Sequence, residues 1–306
     1  MLLIRFTENR CNARRDESFH RRRERAMSSS YGAEDRDWDN FIYDNSVLAV
    51  VAAGNEGSTG NIVDSAKGLN VLSVGNYSDF DDTIYCGSSG LDPTNTKNRK
   101  PELSAPGYLI NAGGYTYTGT SQAAPHVAGL LADLLQAQSG LRLKPYSLKA
   151  HAIASATDSI SGGVDAVGEG GYDFLSGYWS WYDFWLYGNN AYFDTVAAND
   201  AVPTNIYVDK FVTLTQGQNV RAVLVWMNRG TYRYDHRNDI HPMGIDLDLT
   251  VYDPSGNWVA SSASWDNPYE IANFSPSVSG SYRFEISRFA NRDTSSRSEL
   301  GLSVNF

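Results

Sequence analysis

Cysteine and long apolar runs are both scarce in this sequence. Only Cys11 and Cys86 are present, so at most one disulfide can form; this excludes a disulfide-rich scaffold and leaves the redox compartment open. No apolar run reaches the length of a membrane span, and the opening "MLLIRF" has too few apolar residues for the core of a signal peptide. We therefore expect neither a membrane span nor a signal peptide in this chain.

Basic residues are too few for a protein that binds nucleic acid. The 306 residues contain 25 lysines and arginines against 35 acids, for a net charge of -10. Eight of the arginines lie in residues 1–26, so the rest of the chain is more acidic still. Because an acidic surface repels phosphate backbones, nucleic acid is excluded as a partner of the main body. The arginine-rich segment 1–26 is predicted to be solvated and to lie outside the fold.

The middle of the chain alternates strand and helix signals. Two apolar, β-branched runs, "SVLAVVAAGNEG" and "LNVLSVGN", are typical of strands buried on both faces of a parallel sheet. The stretches "SQAAPHVAGLLADLLQAQ" and "KPYSLKAHAIASA" predict helices, the second of which opens at Pro145. Residues 27–195 are therefore predicted to form an α/β domain with a parallel sheet.

The composition changes near residue 196. The segments "VRAVLVWMN", "LDLTVYDPSGNWVAS" and "GSYRFEISRF" alternate apolar and polar residues and are separated by turn signals such as "DPSG". This pattern is typical of an all-β sandwich, which is predicted for residues 196–306. The stretch "VAANDAVPTN" is predicted to link the two domains.

One serine lies where a nucleophile could be activated. In "TYTGTSQAAPHVAGLL", Ser121 stands at the start of a predicted helix, where unpaired N–H groups and the helix dipole favour developing negative charge. The small residues Gly119 and Thr120 let a substrate backbone approach. A serine at this position is also a common N-cap, and the G-T-S triplet alone favours that interpretation.

The longer string around Ser121 resembles the nucleophile motif of the subtilisin-like serine peptidases. Its pattern G-T-S-x-A-x-P-x-V-A-G is matched at every fixed position of "GTSQAAPHVAG". The string "VVAAGNEG" resembles the oxyanion-hole segment of the same family. The resemblance implies a parallel-sheet fold, an acyl-enzyme on Ser121 and an oxyanion donor at Asn55. Asn55 by itself would be interpreted as a turn asparagine.

The same resemblance implies a cleft that binds an extended polypeptide. The string "SSSYG" resembles the strand that lines one side of the cleft, with the matching residues Ser30, Tyr31 and Gly32. Ala52 and Gly54 would belong to the opposite wall. The family also implies an extracellular or cell-surface location and no cofactor for the chemistry; the oligomeric state stays open.

The sequence departs from the family pattern at the other two catalytic groups. The family's Asp, in D-T-G or D-S-G, and its His, in H-G-T, both precede the oxyanion asparagine, and neither motif occurs in these 306 residues. We therefore expect the chain to be the amino-terminally truncated, carboxy-terminal portion of a serine endopeptidase, with little activity by itself. The alternative is a non-catalytic relic that binds peptides or cell-surface polymers.

The second predicted domain resembles β-sandwich modules that follow the catalytic domain in peptidases of this group. The resemblance rests on "DLDL", the "DPSG" turn and "DNPYE". Four acids near these strings provide the hard oxygen ligands that calcium prefers: Asp246, Asp248, Asp266 and Glu270. They could equally be solvated loop acids, so a structural calcium site and an acidic surface are both retained as interpretations.

Overall fold

The structure is a computed structural model that describes residues 3–4, 28–156, 160, 191–196, 206–231, 243–291, 293 and 298–306. Within these ranges the chain forms one mixed sheet flanked by helices, a small hairpin, and two further antiparallel sheets. No helix among these residues combines the length and the apolar character needed to cross a membrane.

The first sheet confirms the predicted buried parallel strands. Its strands are β1 (Leu3–Ile4), β2 (Ala49–Ala52), β3 (Leu72–Ser78), β4 (Thr83–Ile84) and β5 (Leu103–Pro106). Strand β3 is central and pairs in parallel with β2 and β5, while β4 pairs antiparallel at its end. Every residue of β2, β3 and β5 is buried, which explains why their sequences do not alternate.

Strand β1 lies within the segment that was predicted to be outside the fold. Leu3 and Ile4 pair in parallel with Ala49 and Val50 of β2, so at these two residues the structure differs from that prediction. The physical reason is that β2 would otherwise be an edge strand, and a short apolar dipeptide satisfies its backbone hydrogen bonds. Residues 5–27, with the other arginines of the segment, lie outside the described residues.

Three helices flank this sheet: α1 (Ala33–Asn45), α2 (Thr120–Ala137) and α3 (Pro145–Ser155). The last two confirm the predicted helices, and Pro145 occupies the first turn of α3, where its missing N–H has no intrahelical acceptor to lose. The exposed hairpin β6 (Ile110–Ala112) and β7 (Tyr115–Tyr117) comes directly before α2. A 3-10 turn (Ser139–Leu141) connects α2 to α3.

The carboxy-terminal part forms two four-stranded antiparallel sheets. One has the order β13-β10-β15-β8 and the other β12-β11-β14-β9. Their inward side chains share one hydrophobic core, which includes Trp226, Leu249 and Phe284. The strands are β8 (Ala191–Val196), β9 (Ile206–Leu214), β10 (Val220–Trp226), β11 (Ile245–Tyr252), β12 (Trp258–Ser262), β13 (Tyr269–Phe274), β14 (Gly280–Asn291) and β15 (Ser298–Asn305).

The boundary between the two parts differs from the sequence-based one. Strand β8 pairs with β15 in the carboxy-terminal part, although all but its last residue precede position 196. The six residues "AYFDTV" are too few to show by pattern alone which part this strand joins. Residues 197–205, the rest of the predicted linker, lie outside the described residues.

Helix α3 joins the two parts. All of its residues from Pro145 to Ala154 are buried. Strands β10 and β15 contact it on one side, and Lys149 bonds to residues just before β3 and β5 of the first part. Val223, Val225 and Tyr269 of the carboxy-terminal part belong to the same hydrophobic cluster as the first sheet. The carbonyl of Ala154 at the end of α3 accepts a hydrogen bond from Asn305 Nδ2 at 3.2 Å. The interface is therefore continuous core rather than a solvated contact.

A buried ionic cluster holds α3 against the first sheet. Lys149 Nζ donates to Glu102 Oε1 at 2.7 Å and to the carbonyls of Leu69 and Val71, each at 2.9 Å. Lys100 Nζ donates to the same Glu102 oxygen at 2.5 Å. Burial lowers the pKa of Lys149 to about 8, although Glu102 acts in the opposite direction.

Candidate active site

The turn before α2 places Ser121 in the first turn of that helix. Gly119 is the N-cap residue, with a φ of +155°, and its N–H donates to the carbonyl of Gly107 at 2.9 Å. Thr120 and Ser121 are the first two helical residues, so Ser121 is not the N-cap. The cap interpretation of this serine is therefore wrong. Its half-buried side chain stands at the positive end of the helix dipole.

Asn55 contacts this turn directly. Its Oδ1 accepts hydrogen bonds from Thr120 N at 2.9 Å and from Thr120 Oγ1 at 3.3 Å. Thr120 Oγ1 in turn accepts a hydrogen bond from Gly54 N at 3.1 Å. Thr120 at the start of α2 is therefore bonded to both residues, Gly54 and Asn55, that lie just beyond the end of β2. With Oδ1 held by Thr120, the donor group of the exposed Asn55 side chain is Nδ2.

Glycine is required at both sides of this contact. A Cβ on Gly119 would lie 3.1 Å from Asn55 Oδ1 and 3.4 Å from Asn55 Nδ2. A Cβ on Gly54, whose φ is +121°, would lie 2.8 Å from Val63 Cγ1 and 2.9 Å from Ser89 Oγ. Both glycines also have positive φ angles that other residues rarely adopt. The structure thus brings together Gly54, Asn55, Gly119 and Thr120 beside Ser121.

The turn also packs against β3 and β5, a contact that the sequence did not indicate. A Cβ on Gly107 would lie 2.5 Å from Asn76 Oδ1 and 2.6 Å from the carbonyl oxygen of Gly119. Asn76 is fully buried in β3. A lone asparagine within an apolar strand carries no sequence signal for such a contact.

In the predicted substrate-binding segment Ser30–Gly32, several backbone groups already form hydrogen bonds with other residues of this chain. Tyr31 N donates to Asn95 Oδ1 at 2.8 Å, and Asn95 Nδ2 donates back to the Tyr31 carbonyl at 3.1 Å. Ser30 Oγ is 2.8 Å from Thr94 Oγ1, and Gly32 N donates to Asp35 Oδ2 at 2.9 Å at the start of α1. The Tyr31 ring is buried, with its hydroxyl donating to Asp39.

The opposite wall of the predicted cleft lies at the end of β2. Ala52 is the last residue of that strand and is buried, as is Gly54 two residues later. Both therefore lie at the carboxyl end of the parallel strand β2, and ligands of open α/β sheets bind at the carboxyl ends of strands.

Two histidines fall within the described residues. His126 lies on α2, and its Nδ1 is 2.9 Å from the carbonyl oxygen of Gln122. His151 is buried in α3, with Nδ1 at 3.2 Å from Ser303 Oγ of β15. Burial lowers the pKa of His151 to about 4, so it is neutral near pH 7. His20, His236 and His241 lie outside the described residues.

The four acids predicted as calcium ligands lie in the carboxy-terminal part. Asp246 and Asp248 are on β11, Glu270 is on β13, and Asp266 is in the loop before it. The carboxylate of the buried Glu270 accepts from Ser262 Oγ and from Ser264 N, the latter at 2.6 Å. Burial raises the pKa of Glu270 to about 8, with smaller contributions from Asp248 and Asp246. In the part of the chain that the structure describes, no group of three or more His, Cys, Asp or Glu side chains is arranged to hold a metal ion.

Three solved structures are similar to this chain over part of their length. A cold adapted subtilisin-like serine proteinase is 28% identical and covers 42% of this chain, with a TM-score of 0.35. The prenylagaramide maturation protease PagA is 32% identical over 38% of the chain, with a TM-score of 0.32. The self-cleaved protease domain of PatA is 27% identical over 44% of the chain, with a TM-score of 0.36. The chain spans 44%, 42% and 52% of these three proteins, respectively.

A family model covers more than half of the chain. The model of the subtilase family, peptidase S8, matches residues 12–178. The match contains β2, α2 and the Asn55 and Ser121 strings, and it begins inside the arginine-rich segment. The chain belongs to the subtilase family.

Proposed function

We propose that this chain carries the nucleophile and the oxyanion donor of a serine endopeptidase. Ser121 is the nucleophile and Asn55 is the donor. The observation that supports this most directly is the hydrogen bond from Thr120 N to Asn55 Oδ1, which ties the asparagine to the residue before Ser121. That bond orients the side-chain amide and leaves Nδ2 to donate. Membership of the subtilase family agrees with this chemistry.

In the proposed acylation step, Ser121 Oγ bonds to the carbonyl carbon of the scissile peptide, and the carbonyl electron pair moves onto its oxygen. Asn55 Nδ2 donates to that oxyanion, and the amino terminus of α2 stabilises the same charge. When the intermediate collapses, the C–N bond breaks and the leaving amine takes up a proton. A general base must first accept the hydroxyl proton of Ser121.

The base is the component that the described residues do not supply. His126 Nδ1 is engaged by the Gln122 carbonyl, and His151 is buried against β15, so neither is assigned this role. We therefore propose that the chain by itself turns over slowly. Loss of the triad in a subtilisin costs on the order of a millionfold in turnover.

The proposed substrate is an extended polypeptide that lies between Ser30–Gly32 and the end of β2. Because Asn95 already pairs with both backbone groups of Tyr31, the substrate would bond to its neighbours Ser30 and Gly32. The substrate would compete with Asp35 for the Gly32 N–H group and with Ser28 Oγ for the backbone groups of Ser30. An extracellular or cell-surface location is proposed with this activity.

Calcium stays a proposal for the acids Asp246, Asp248, Asp266 and Glu270. Oxygen ligands from these four residues have the chemistry that calcium requires. Calcium binding would displace the proton that burial favours on Glu270. It would also compete with the hydrogen bonds that Ser262 and Ser264 donate to the Glu270 oxygens.

The nucleophile can be tested without its natural base. The full chain is treated with a fluorophosphonate probe while imidazole is added as a soluble base, and the labelled residue is located by peptide mass spectrometry. Attack by Ser121 Oγ forms an O–P bond and expels fluoride, while imidazole takes the proton. We expect labelling at Ser121 that rises with imidazole and is abolished by Ser121→Ala.

The donor role of Asn55 is tested in the same assay. We expect Asn55→Ala to slow labelling by on the order of 100-fold, a magnitude taken from a subtilisin rather than from this structure. The control is Gln136→Ala, which removes an exposed amide from α2 and should leave the rate unchanged. Equal labelling of Ser121→Ala and the unmodified chain would refute the assignment of Ser121 as the nucleophile and favour the non-catalytic interpretation.

A further inference from the structure

The outer face of the sheet β12-β11-β14-β9 carries a continuous row of aromatic side chains and one arginine. Strand pairing places Trp258 opposite Tyr252, Tyr252 opposite Arg283, and Arg283 opposite Phe211. One residue from each of the four strands thus contributes to the row. Residues directly opposite each other in an antiparallel pair point to the same face. We call these four residues the aromatic row.

The aromatic row is exposed rather than packed against the rest of the protein. Trp258 and Phe211, at its two ends, are 64% and 63% exposed. Between them the Arg283 guanidinium lies 4.0 Å from the centre of the Tyr252 ring. Since neighbouring strands are about 4.8 Å apart, the row extends over roughly 14 Å. It therefore forms a shallow platform instead of a pocket.

A second row, parallel to the first, is entirely polar. It consists of Asp209, Glu285, Thr250 and Ser261, which face one another in the same strand order. Arg283 Nη1 donates to Asp209 Oδ1 at 3.0 Å and to Glu285, and Tyr252 OH donates to Glu285 Oε1 at 3.4 Å. Carboxylate and hydroxyl oxygens thus lie along the whole length of the aromatic row, and the two carboxylates are held in place by Arg283.

The net charge of the surface formed by the aromatic row and the polar row indicates which class of polymer can bind there. The single cation, Arg283, is already paired with two carboxylates, so the surface has an excess of negative charge. This excludes anionic polymers, which need unpaired cations. An added peptide strand needs a free sheet edge, whereas the row crosses β11 and β14, which are paired on both sides.

We propose that the aromatic row is a binding site for a neutral polysaccharide. The C–H groups on one face of a sugar ring carry partial positive charge and stack on the negative face of an aromatic ring. The hydroxyl groups at the ring edge then donate to the carboxylates and hydroxyls of the polar row. A linear chain laid along the aromatic row makes both kinds of contact at once. This site is independent of the proposed peptidase chemistry.

The proposal is tested by affinity gel electrophoresis of the full chain. Gels contain hydroxyethylcellulose, xylan, galactomannan or glycol chitin, and a gel with heparin represents anionic polymers. We expect retardation by at least one of the four neutral polysaccharides and none by heparin. Trp258→Ala and Phe211→Ala should each weaken that binding about tenfold, because each removes one stacking ring. The control is Phe80→Ala, an exposed ring of the first part, which should not change the mobility.

Three mobility results would each overturn the proposal. The first is unchanged mobility in all four neutral gels. The second is retardation that Trp258→Ala and Phe211→Ala leave intact, and the third is retardation that Phe80→Ala reduces equally. A second copy of this chain is the other possible occupant of the aromatic row, and analytical sedimentation of the unmodified chain and of Trp258→Ala tests it. Self-association that disappears in the variant would make the row a contact between two copies instead of a polysaccharide site. Unchanged circular dichroism of the variants excludes unfolding as the cause.

Discussion

Acid is expected to destabilise this protein through His151. The folded-state pKa of this residue is lowered to about 4 by burial, against an ordinary value of 6.5. Below pH 6.5 the unfolded chain therefore binds a proton that the folded chain does not, so stability falls as the pH falls towards 4. Above pH 6.5 both states are neutral and the contribution is constant. The relevant window is thus pH 6.5 to 4.

The magnitude follows from the two pKa values. One pKa unit is worth about 1.4 kcal/mol, so linkage between pH 7.5 and 4.5 removes about 2–3 kcal/mol of unfolding free energy through His151 alone. That is a large share of the roughly 5–15 kcal/mol available to a globular protein. His151→Gln removes this contribution while keeping a polar group near Ser303 Oγ, its neighbour at 3.2 Å.

The assay is urea unfolding of the full chain at pH 7.5 and 4.5, at constant ionic strength. Any packing cost of His151→Gln is the same at both pH values, so the measured quantity is the change in unfolding free energy between them. We expect this change to be smaller in His151→Gln by about 2–3 kcal/mol. The control is His126→Gln, at a half-buried position on α2, which should behave like the unmodified chain. A pH-dependent loss of the same size in His151→Gln and the unmodified chain would refute the reasoning.

Two further outcomes follow from the packing around Ser121 and Glu270. Gly107→Ala should displace the Gly119 turn, because its Cβ would lie 2.6 Å from the Gly119 carbonyl; we expect about 1–3 kcal/mol of destabilisation in urea and slower probe labelling of Ser121. The control is Gly129→Ala, whose Cβ meets nothing within 4 Å; it should not destabilise the chain, since alanine is the better helix former within α2, and should leave labelling unchanged. For Glu270, whose pKa is raised to about 8, stability should fall as the pH rises from 4.5 to 8, and Glu270→Gln should remove that fall. Calcium should raise the melting temperature of the unmodified chain but not of Glu270→Gln at pH 8; equal shifts in both would count against a calcium site that uses Glu270.

Much of the local structure could be predicted because its cause is local. The unbroken apolar run before Gly54 leads to a strand buried on both faces, and the apolar spacing after Ser121 leads to an amphipathic helix. The start of that helix also follows from local chemistry, since Gly119 provides the φ of +155° that its turn requires. The subtilase strings lie at these element ends, which is why the sequence could propose Ser121 and Asn55 as site residues.

Contacts between distant segments could not be predicted in this way. Asn55 and Thr120 are 65 residues apart, and Tyr31 and Asn95 are 64 apart, so both contacts depend on strand order and register. The pairing of Leu3–Ile4 with β2 has the same origin. A two-residue strand has too few side chains to carry a pattern of its own.

The sequence by itself determined the buried strands, the helix that begins at Thr120, and the choice of Ser121 as the candidate nucleophile, because each depends on neighbouring residues. Only the tertiary structure decided which groups surround them. His151 has an acid-sensitive role because β15 covers α3, and the aromatic row exists because four strands align in one register. Burial and register arise from the packing of the whole chain, so no local pattern specifies them.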